Sequence, residues 1–417
     1  MRQLSGRRIG LAWIAATIVF LVCAGYATAA DPSDRAAPPQ AQSEAAILIE
    51  QHTGDVLYVK NGNERLYPAS IAKIATAIIA LEHSSLTDVA TVSKTARGEE
   101  GTRVYLAEGE QVTMEKLLYG MMLNSGNDAA TAIAEQIDGT KDKFAERMNA
   151  FMRNTIGAYD SNFVNPSGLP DPNQYTTAAD MALLTRYAMD NDTFRRIVST
   201  RKLPWTGLEW TTTLENHNKM LTDYPGATGV KNGYTIASGN TLVGAAQRDG
   251  MSLIGVVLKA GSKNIAYADM AEMLDYGFAN FGVRMLFAKG ERYELQNEAG
   301  AASEWIADKP IWGVYPKSAS PVLTVDPNGH VTLESQQGTY DSGELSPVKK
   351  EVSISAFSGR QGENEPSAVL DAAGASRSFI RVYALGAGAL VGAGVAVLLV
   401  RRVRRGRYPS RRTYDRE

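Results

Sequence analysis

Polar and apolar positions along the chain alternate, switch to helical spacing, then alternate again. In AILIEQHTGDVLYVKNGNERLYP the apolar residues form two β-rich runs, about 45–51 and 55–60, which predict strands joined across Thr53-Gly54-Asp55. From Ser70 the period lengthens: Ile71, Ile74, Ala75 and Ile78 recur at i, i+3, i+4 and i+7, the spacing of one buried helix face. A second helix is predicted after Thr113 as N-cap, with Glu115 in its first turn and Met114, Leu117, Leu118, Met121 and Met122 as its stripe. The polar knot Asn124-Ser125-Gly126-Asn127 interrupts it, and helical character resumes from Ala129 to Ile137. Residues 162–177, NFVNPSGLPDPNQYTT, are loop chemistry, after which Thr177-Ala178-Ala179-Asp180 opens another helix in capping-box fashion. Strands at 240–247 and 252–260 flank the hairpin signal Asp249-Gly250, and Met270, Met273, Leu274, Gly277 and Phe278 mark a closing helix. Helices between an early and a late hairpin predict an α/β (α+β) domain over 45–281, with an antiparallel sheet that joins its two terminal segments and is flanked by helices.

Short alternating segments such as PVLTVDPNGHVTLES predict a small β-rich domain over 282–355. The Gly/Ser/Glu-rich stretch 356–378 reads as a linker. Two apolar segments bound the whole. Arg2, Arg7 and Arg8 precede an apolar run that ends near Ala27-Thr28-Ala29, the pattern of a signal peptide over 1–30. Polar, Pro-rich 31–44 reads as a disordered lead-in. The uncharged run Val382 to Val400, at about 1.5 Å per residue, is long enough to cross a bilayer core of roughly 30 Å, so 379–401 is predicted to be a transmembrane helix. The basic tail 402–417 then stays in the cytoplasm and the catalytic domain lies outside.

Composition removes several classes of chemistry. With 43 Lys+Arg against 45 Asp+Glu, nothing draws the chain to nucleic acid. Cys23, the only cysteine, lies in the signal segment, so the exported chain has no disulfide and no cysteine nucleophile. The four histidines are scattered without ligand spacing; neither a metal nor a cofactor is expected.

Three motifs carry the candidate chemistry, and each has a duplicate. Ser70-Ile71-Ala72-Lys73 opens an amphipathic helix, where i, i+3 spacing sets both side chains on one face. Its copy, Ser346-Pro347-Val348-Lys349, lies in a polar stretch with Pro inside the motif. Lys73 acts as a base only if burial and a neighbouring cation, for which Lys231 is the candidate, disfavour its charged form. Taken alone, Ser70 also reads as a helix cap and Lys73 as a solvated residue. Ser125-Gly126-Asn127 sits between two helices, whereas Ser238-Gly239-Asn240 enters a strand. Lys231-Asn232-Gly233 lies on a predicted strand, whereas Lys60-Asn61-Gly62 follows one as a turn.

S-x-x-K, S-x-N and K-x-G in that order mark serine β-lactamases and penicillin-binding proteins. Together with LYPASIAKIATAIIALE, EKLLYGMMLNSGNDAATAIAE, NFVNPSGL and GVKNGYTIASGNTLVGAAQRDG, they make the chain resemble the D-alanyl-D-alanine carboxypeptidases among the low-molecular-mass penicillin-binding proteins, over about 45–280. The resemblance implies that Ser70 attacks a terminal D-Ala-D-Ala bond of a peptidoglycan stem peptide and that β-lactam antibiotics acylate it as covalent inhibitors. It further implies that Lys73 takes the serine proton, Ser125 relays a proton to the leaving amine, and Asn127 holds Lys73 and the substrate amide. The backbone N–H groups of Ser70 and Tyr234 then form the oxyanion hole, Lys231 attracts the substrate carboxylate, and Gly233 admits close backbone approach. Two departures stand out. Asn232 replaces the usual Thr or Ser, and the segment GSKNIAY, with Lys263, stands where relatives often carry arginine. A class A β-lactamase would need a Glu in the 162–177 loop, which has none. A tethered penicillin-binding module with little turnover is the other alternative, kept open by Asn232.

Overall fold

The computed structural model describes residues 37–296 and 302–348. The signal segment, linker, transmembrane segment and basic tail expected from the sequence lie outside the described residues. No helix among the described residues is long and apolar enough to cross a membrane.

Five strands form the central sheet: β1 (Ala45–Glu50), β2 (Val56–Lys60), β3 (Ala227–Thr235), β4 (Gly239–Arg248) and β5 (Met251–Ala260). They pair antiparallel in the order β2-β1-β5-β4-β3, so the first hairpin joins the last through β1 and β5. Asp249 and Gly250, both with positive φ (49° and 80°), close the β4–β5 turn, the backbone that matches strand twist. All six residues of β1 are buried because both faces of the sheet are covered. Ala45, Ile47 and Ile49 enter the core shared with most of the helices. Ala46 and Leu48, pointing the other way, pack with Met270, Met273 and Leu274 of the closing helix.

The helices that frame the site are α1 (Lys73–His83), α2 (Met114–Leu123), α3 (Asn127–Asp138), α4 (Ala178–Met189) and α5 (Lys263–Asn280). Thr113 caps α2 by accepting from Lys116 N, and the predicted Met/Leu stripe is buried. At α4 only half of the expected capping box forms: Thr177 Oγ1 accepts from Asp180 N at 3.0 Å. The Asp180 carboxylate turns instead to Asp160 N and Ser161 Oγ in the preceding loop. The lead-in also differs from its composition. Asp269 accepts from Gln42 N and Ser43 N, and Lys60 Nζ donates to the carbonyls of Ala41 and Ser43. Partners 17 and more than 200 residues away thus order 41–43, which local polarity cannot reveal.

Past α5 the chain runs without a break into β6 (Phe281–Phe287), which pairs with β7 (Ile311–Pro316). Two three-stranded sheets follow, around a small core of Phe287, Trp305, Ile311, Val331 and Leu345. Trp312 stacks on His52 at 4.3 Å, and Lys317 Nζ donates to Phe278 O, which joins this β region to the helical one.

Candidate active site

Ser70 lies in a 3₁₀ turn, Ala69–Ala72, ahead of α1 rather than in the α-helix itself. Its side chain caps nothing. Ala69 has φ 50°, a left-handed conformation that turns the chain into the helix. Lys73 is fully buried, not solvated. Its Nζ reaches Ser70 Oγ at 3.0 Å, Asn127 Oδ1 at 2.7 Å and Ser167 O at 2.6 Å. An ammonium has three donors, so the charged form would satisfy all three contacts. Two of the partners, an amide oxygen and a backbone carbonyl, can only accept. When Lys73 loses a proton, its lone pair therefore falls to the one partner able to donate, the Ser70 hydroxyl. Burial favours that neutral form, and the nearby Lys231 favours it further; together they hold Lys73 well below the usual lysine range against the opposing pull of Asp128 and Glu99.

Lys231 is also buried, and its one side-chain bond is to the Asn232 carbonyl at 3.0 Å. Desolvation alone lowers its pKa to about 7. It stands near Lys73 without a counterion among the described residues, so an incoming carboxylate would recharge it. His217, placed among the scattered histidines by sequence, lies close to this lysine. Burial first, then Lys231 and Lys263, bring its pKa down to about 4.

Strand β3 is the sheet's outer strand and leans on the serine turn. A Cβ added at Gly233 would stand 2.7 Å from Ser70 N and 2.6 Å from Thr241 Oγ1, so only glycine allows this approach. Neighbouring Asn232 projects to the opposite side. It lines a cavity of about 340 Å³ with Tyr234, Lys263 and Tyr267, and its Oδ1 is buried without a partner.

The S-G-N knot ends α2 and starts α3. Ser125 takes φ 62°, and Asn127 splits its amide between Lys73 and Glu100 O, to which Nδ2 donates at 2.6 Å. Lys73 thus joins Ser70 and Asn127 in one network. Ser125 and Lys231 stand outside that network. The duplicated motifs are turns or fragments: Ser238 Oγ accepts from Thr235 N in the β3–β4 loop, Asn61 has φ 49°, and Ser346 bonds Asp308.

Sequence reasoning missed the loop's part in the site. Asn165 Oδ1 accepts from the backbone of Ser167, Gly168 and Leu169, an Asx-type turn that presents Ser167 O to Lys73. Gly168 has φ 84°, and a Cβ there would fall 1.8 Å from Ala69 O. The Asn-Pro-Ser-Gly string signalled a tight turn, but nothing local tied it to Lys73, 94 residues away.

A serine hydroxyl 3.0 Å from the amine of a buried lysine, beside an outer strand of an antiparallel sheet, has the parts of a serine acyl-transfer site. The family model described as D-alanyl-D-alanine carboxypeptidase, of the S11 peptidases, matches residues 32–263, and the chain belongs to this family. It is 31% identical over 288 residues to the D-alanyl-D-alanine carboxypeptidase DacF of Bacillus subtilis, covering 66% of this chain and 72% of that protein. It is 33% identical over 249 residues to DacB2 of Mycobacterium tuberculosis, covering 58% and 84%. Penicillin binding protein 5 from Haemophilus influenzae superposes with TM-score 0.66 at 26% identity, over 75% of this chain and 98% of that structure.

Proposed function

We propose that Ser70 is the acylated nucleophile and Lys73 its base. The chain is a serine-type D-alanyl-D-alanine carboxypeptidase of cell-wall metabolism, and the observation that supports this assignment of roles is the buried Lys73 with its lone pair confined to Ser70 Oγ. Ser70 Oγ attacks the carbonyl of the terminal D-Ala-D-Ala bond as Lys73 takes its proton. The oxyanion collects on the N–H groups of Ser70 and Tyr234, where losing one donor costs about 10²–10³ in rate. Lys73 hands that proton on through the Ser125 hydroxyl to the nitrogen of the departing D-alanine, so Ser125 gives one proton and receives one and Lys73 is neutral again as the C–N bond breaks. Water then attacks the acyl-enzyme as Lys73 takes its proton, and Lys73 passes that proton to Ser70 Oγ as the acyl C–O bond breaks, freeing the shortened peptide and restoring the serine hydroxyl. The Lys231 side chain, with the backbone of Asn232, Gly233 and Tyr234 along β3, receives the free carboxylate and the extended peptide. A β-lactam acylates the same serine.

The catalytic domain spans 45–281, followed by a β-rich domain over 282–355. Residues 1–30 direct export and 379–401 anchor the chain by a single span, leaving the catalytic domain extracytoplasmic; the A-x-A pattern and the uncharged run followed by arginines support this reading.

The test is D-alanine release from an acyl-D-Ala-D-Ala peptide by the purified protein, with Ser70→Ala as control. Release that disappears in the control is expected. Covalent labelling by penicillin with no release from peptide would instead favour a binding module, to which the orphaned Asn232 Oδ1 would then be the first lead.

A further inference from the structure

Which way round the Asn127 amide sits decides where the Lys73 lone pair goes. An amide presents an acceptor on one side and donors on the other. With Oδ1 on Lys73 Nζ at 2.7 Å, the lone pair is left to Ser70. Turned over, the amide would offer Lys73 an N–H donor, and the lone pair would be shared between Asn127 and Ser70. The choice is made by Glu100 O, which takes the Nδ2 donor at 2.6 Å and, as an acceptor itself, could not face Oδ1.

Glu100 belongs to an irregular strap, 99–106, that is stitched to the S-G-N knot and the first turn of α3. Thr102 O accepts from Asn127 N at 2.8 Å, and Arg103 O accepts from Asn124 Nδ2 at 2.8 Å. Asp128 makes the remaining stitches. It is fully buried, and its carboxylate accepts from Val104 N at 3.0 Å, Leu106 N at 3.1 Å and Ala129 N at 2.9 Å. Tyr105, with φ 55°, bends the strap so that N–H groups two residues apart converge on the one carboxylate. A Cβ at Gly126 would stand 2.9 Å from Asp128 Oδ1, so the glycine of the knot leaves room for it. These partners are all donors, which fits the ionised form.

The same carboxylate carries a charge that Lys73 feels. Asp128 and Glu99, the first residue of the strap, draw Lys73 back toward its protonated form, against burial and Lys231. Glu99 is itself held by Thr131 Oγ1 at 2.9 Å and by Lys141. Burial pushes the Asp128 carboxyl up, against the three N–H groups and Arg103. Loss of the Asp128 charge therefore favours neutral Lys73. An overturned Asn127 amide, donating to the neutral amine, favours it as well. The two effects share one sign, so unseating the strap lowers the proton affinity of Lys73 while drawing its lone pair away from Ser70.

We propose that Asp128 is a positioning residue of the acylation step: its buried carboxylate seats the 99–106 strap, and the seated strap fixes the Asn127 amide so that the Lys73 lone pair is reserved for Ser70. The inference rests on the assignment of Ser70 and Lys73 above.

The experiment follows the second-order rate at which a fluorescent penicillin labels the full-length protein from about pH 5 to 9, with a thermal melt of each variant. In the parent the rate rises with pH as Lys73 of the free enzyme loses its proton. Asp128→Asn keeps the shape, removes the charge and turns one acceptor atom into a donor. It is expected to lower the plateau rate about tenfold, equivalent to roughly 1.4 kcal/mol, and to move the acid limb to lower pH by about one unit. Asn124→Ala unties the strap at Arg103 O without touching a charge, and moves both quantities in the same directions by less. A folded Asp128→Asn with a lower plateau and an unmoved acid limb overturns the proposal, since a purely structural effect does that. So does a profile equal to the parent's. Where Asp128→Asn gives no cooperative melt, Asn124→Ala decides, and a parent-like profile there overturns the proposal. In each of these cases the catalytic assignment stands. A parent that labels at one rate across the whole range, with Ser70→Ala unlabelled, overturns Lys73 as the base and the proposal with it.

Discussion

Gly168→Ala tests whether the 162–177 loop is a working part of the active site. The added Cβ would stand 1.8 Å from Ala69 O, whereas such contacts essentially never fall below 3.0 Å. Relieving the clash requires the loop and the serine turn to separate by about 1.2 Å, the difference between these two distances. That separation draws Ser167 O off Lys73 or shifts Ser70 itself. A misplacement of about 1 Å costs on the order of 10²-fold in rate, roughly 2.7 kcal/mol of barrier. The φ of 84° adds about 1–2 kcal/mol of left-handed strain to the folded state, a fall of roughly 2–8 °C in Tm. Gly139→Ala is the matched control: φ is 78°, with nothing within 4 Å of the added Cβ. It shares the strain without the clash. D-alanine release and the rate of labelling by a fluorescent penicillin, each with a thermal melt, separate the two. Gly168→Ala is expected to lose about 10² in both rates, and Gly139→Ala to lose stability alone. Equal rates in the two variants would refute the loop's role.

Lys73→Arg retains the charge but cannot give up a proton, so penicillin labelling is expected to fall by about 10²–10⁴, the usual worth of a general base. Labelling within tenfold of the parent would show that another group takes the proton. Lys231 binds a proton in the unfolded chain up to about 10.5 but in the fold only below about 7, so the unfolded state holds the extra proton between those values. Stability of the empty protein should therefore rise with pH from about 7 to 9, and Lys231→Met should raise Tm at pH 7 and flatten the slope; melts across that range check both. For the same reason, binding of an acyl-D-Ala-D-Ala peptide to Ser70→Ala at pH 8 should take up protons, measurable by calorimetry in buffers of different ionisation enthalpy. Asn232→Thr removes a buried acceptor without a partner, which costs about 1–3 kcal/mol, and should raise Tm while changing kinetics on peptide and penicillin. Unchanged kinetics on both would show that Asn232 serves as well as the hydroxyl.

Periodicity is a local property, and what it foretold is local. The stripe of α2 and its Thr113 cap, the Asp249-Gly250 turn and the alternation of the hairpins were all legible because neighbours along the chain set them. Motif order likewise singled out Ser70 and one copy of each tripeptide as candidates. The tertiary structure decided the rest, because burial and long-range contact have no signature in spacing. Only packing shows that Lys73 is fully buried and that two of its partners merely accept, the condition that leaves its lone pair to Ser70. Only the approach of β3 to the serine turn makes Gly233 obligatory, and only the return of the 162–177 loop supplies Ser167 O. Lys231 and Asn232, adjacent in sequence, have opposite fates because a strand sends alternate side chains to opposite faces: one is a buried lysine near Lys73, the other an amide in a separate cavity. The sequence alone thus determined which residues were available to the chemistry; the fold determined their charge, their partners and the direction from which a substrate meets them.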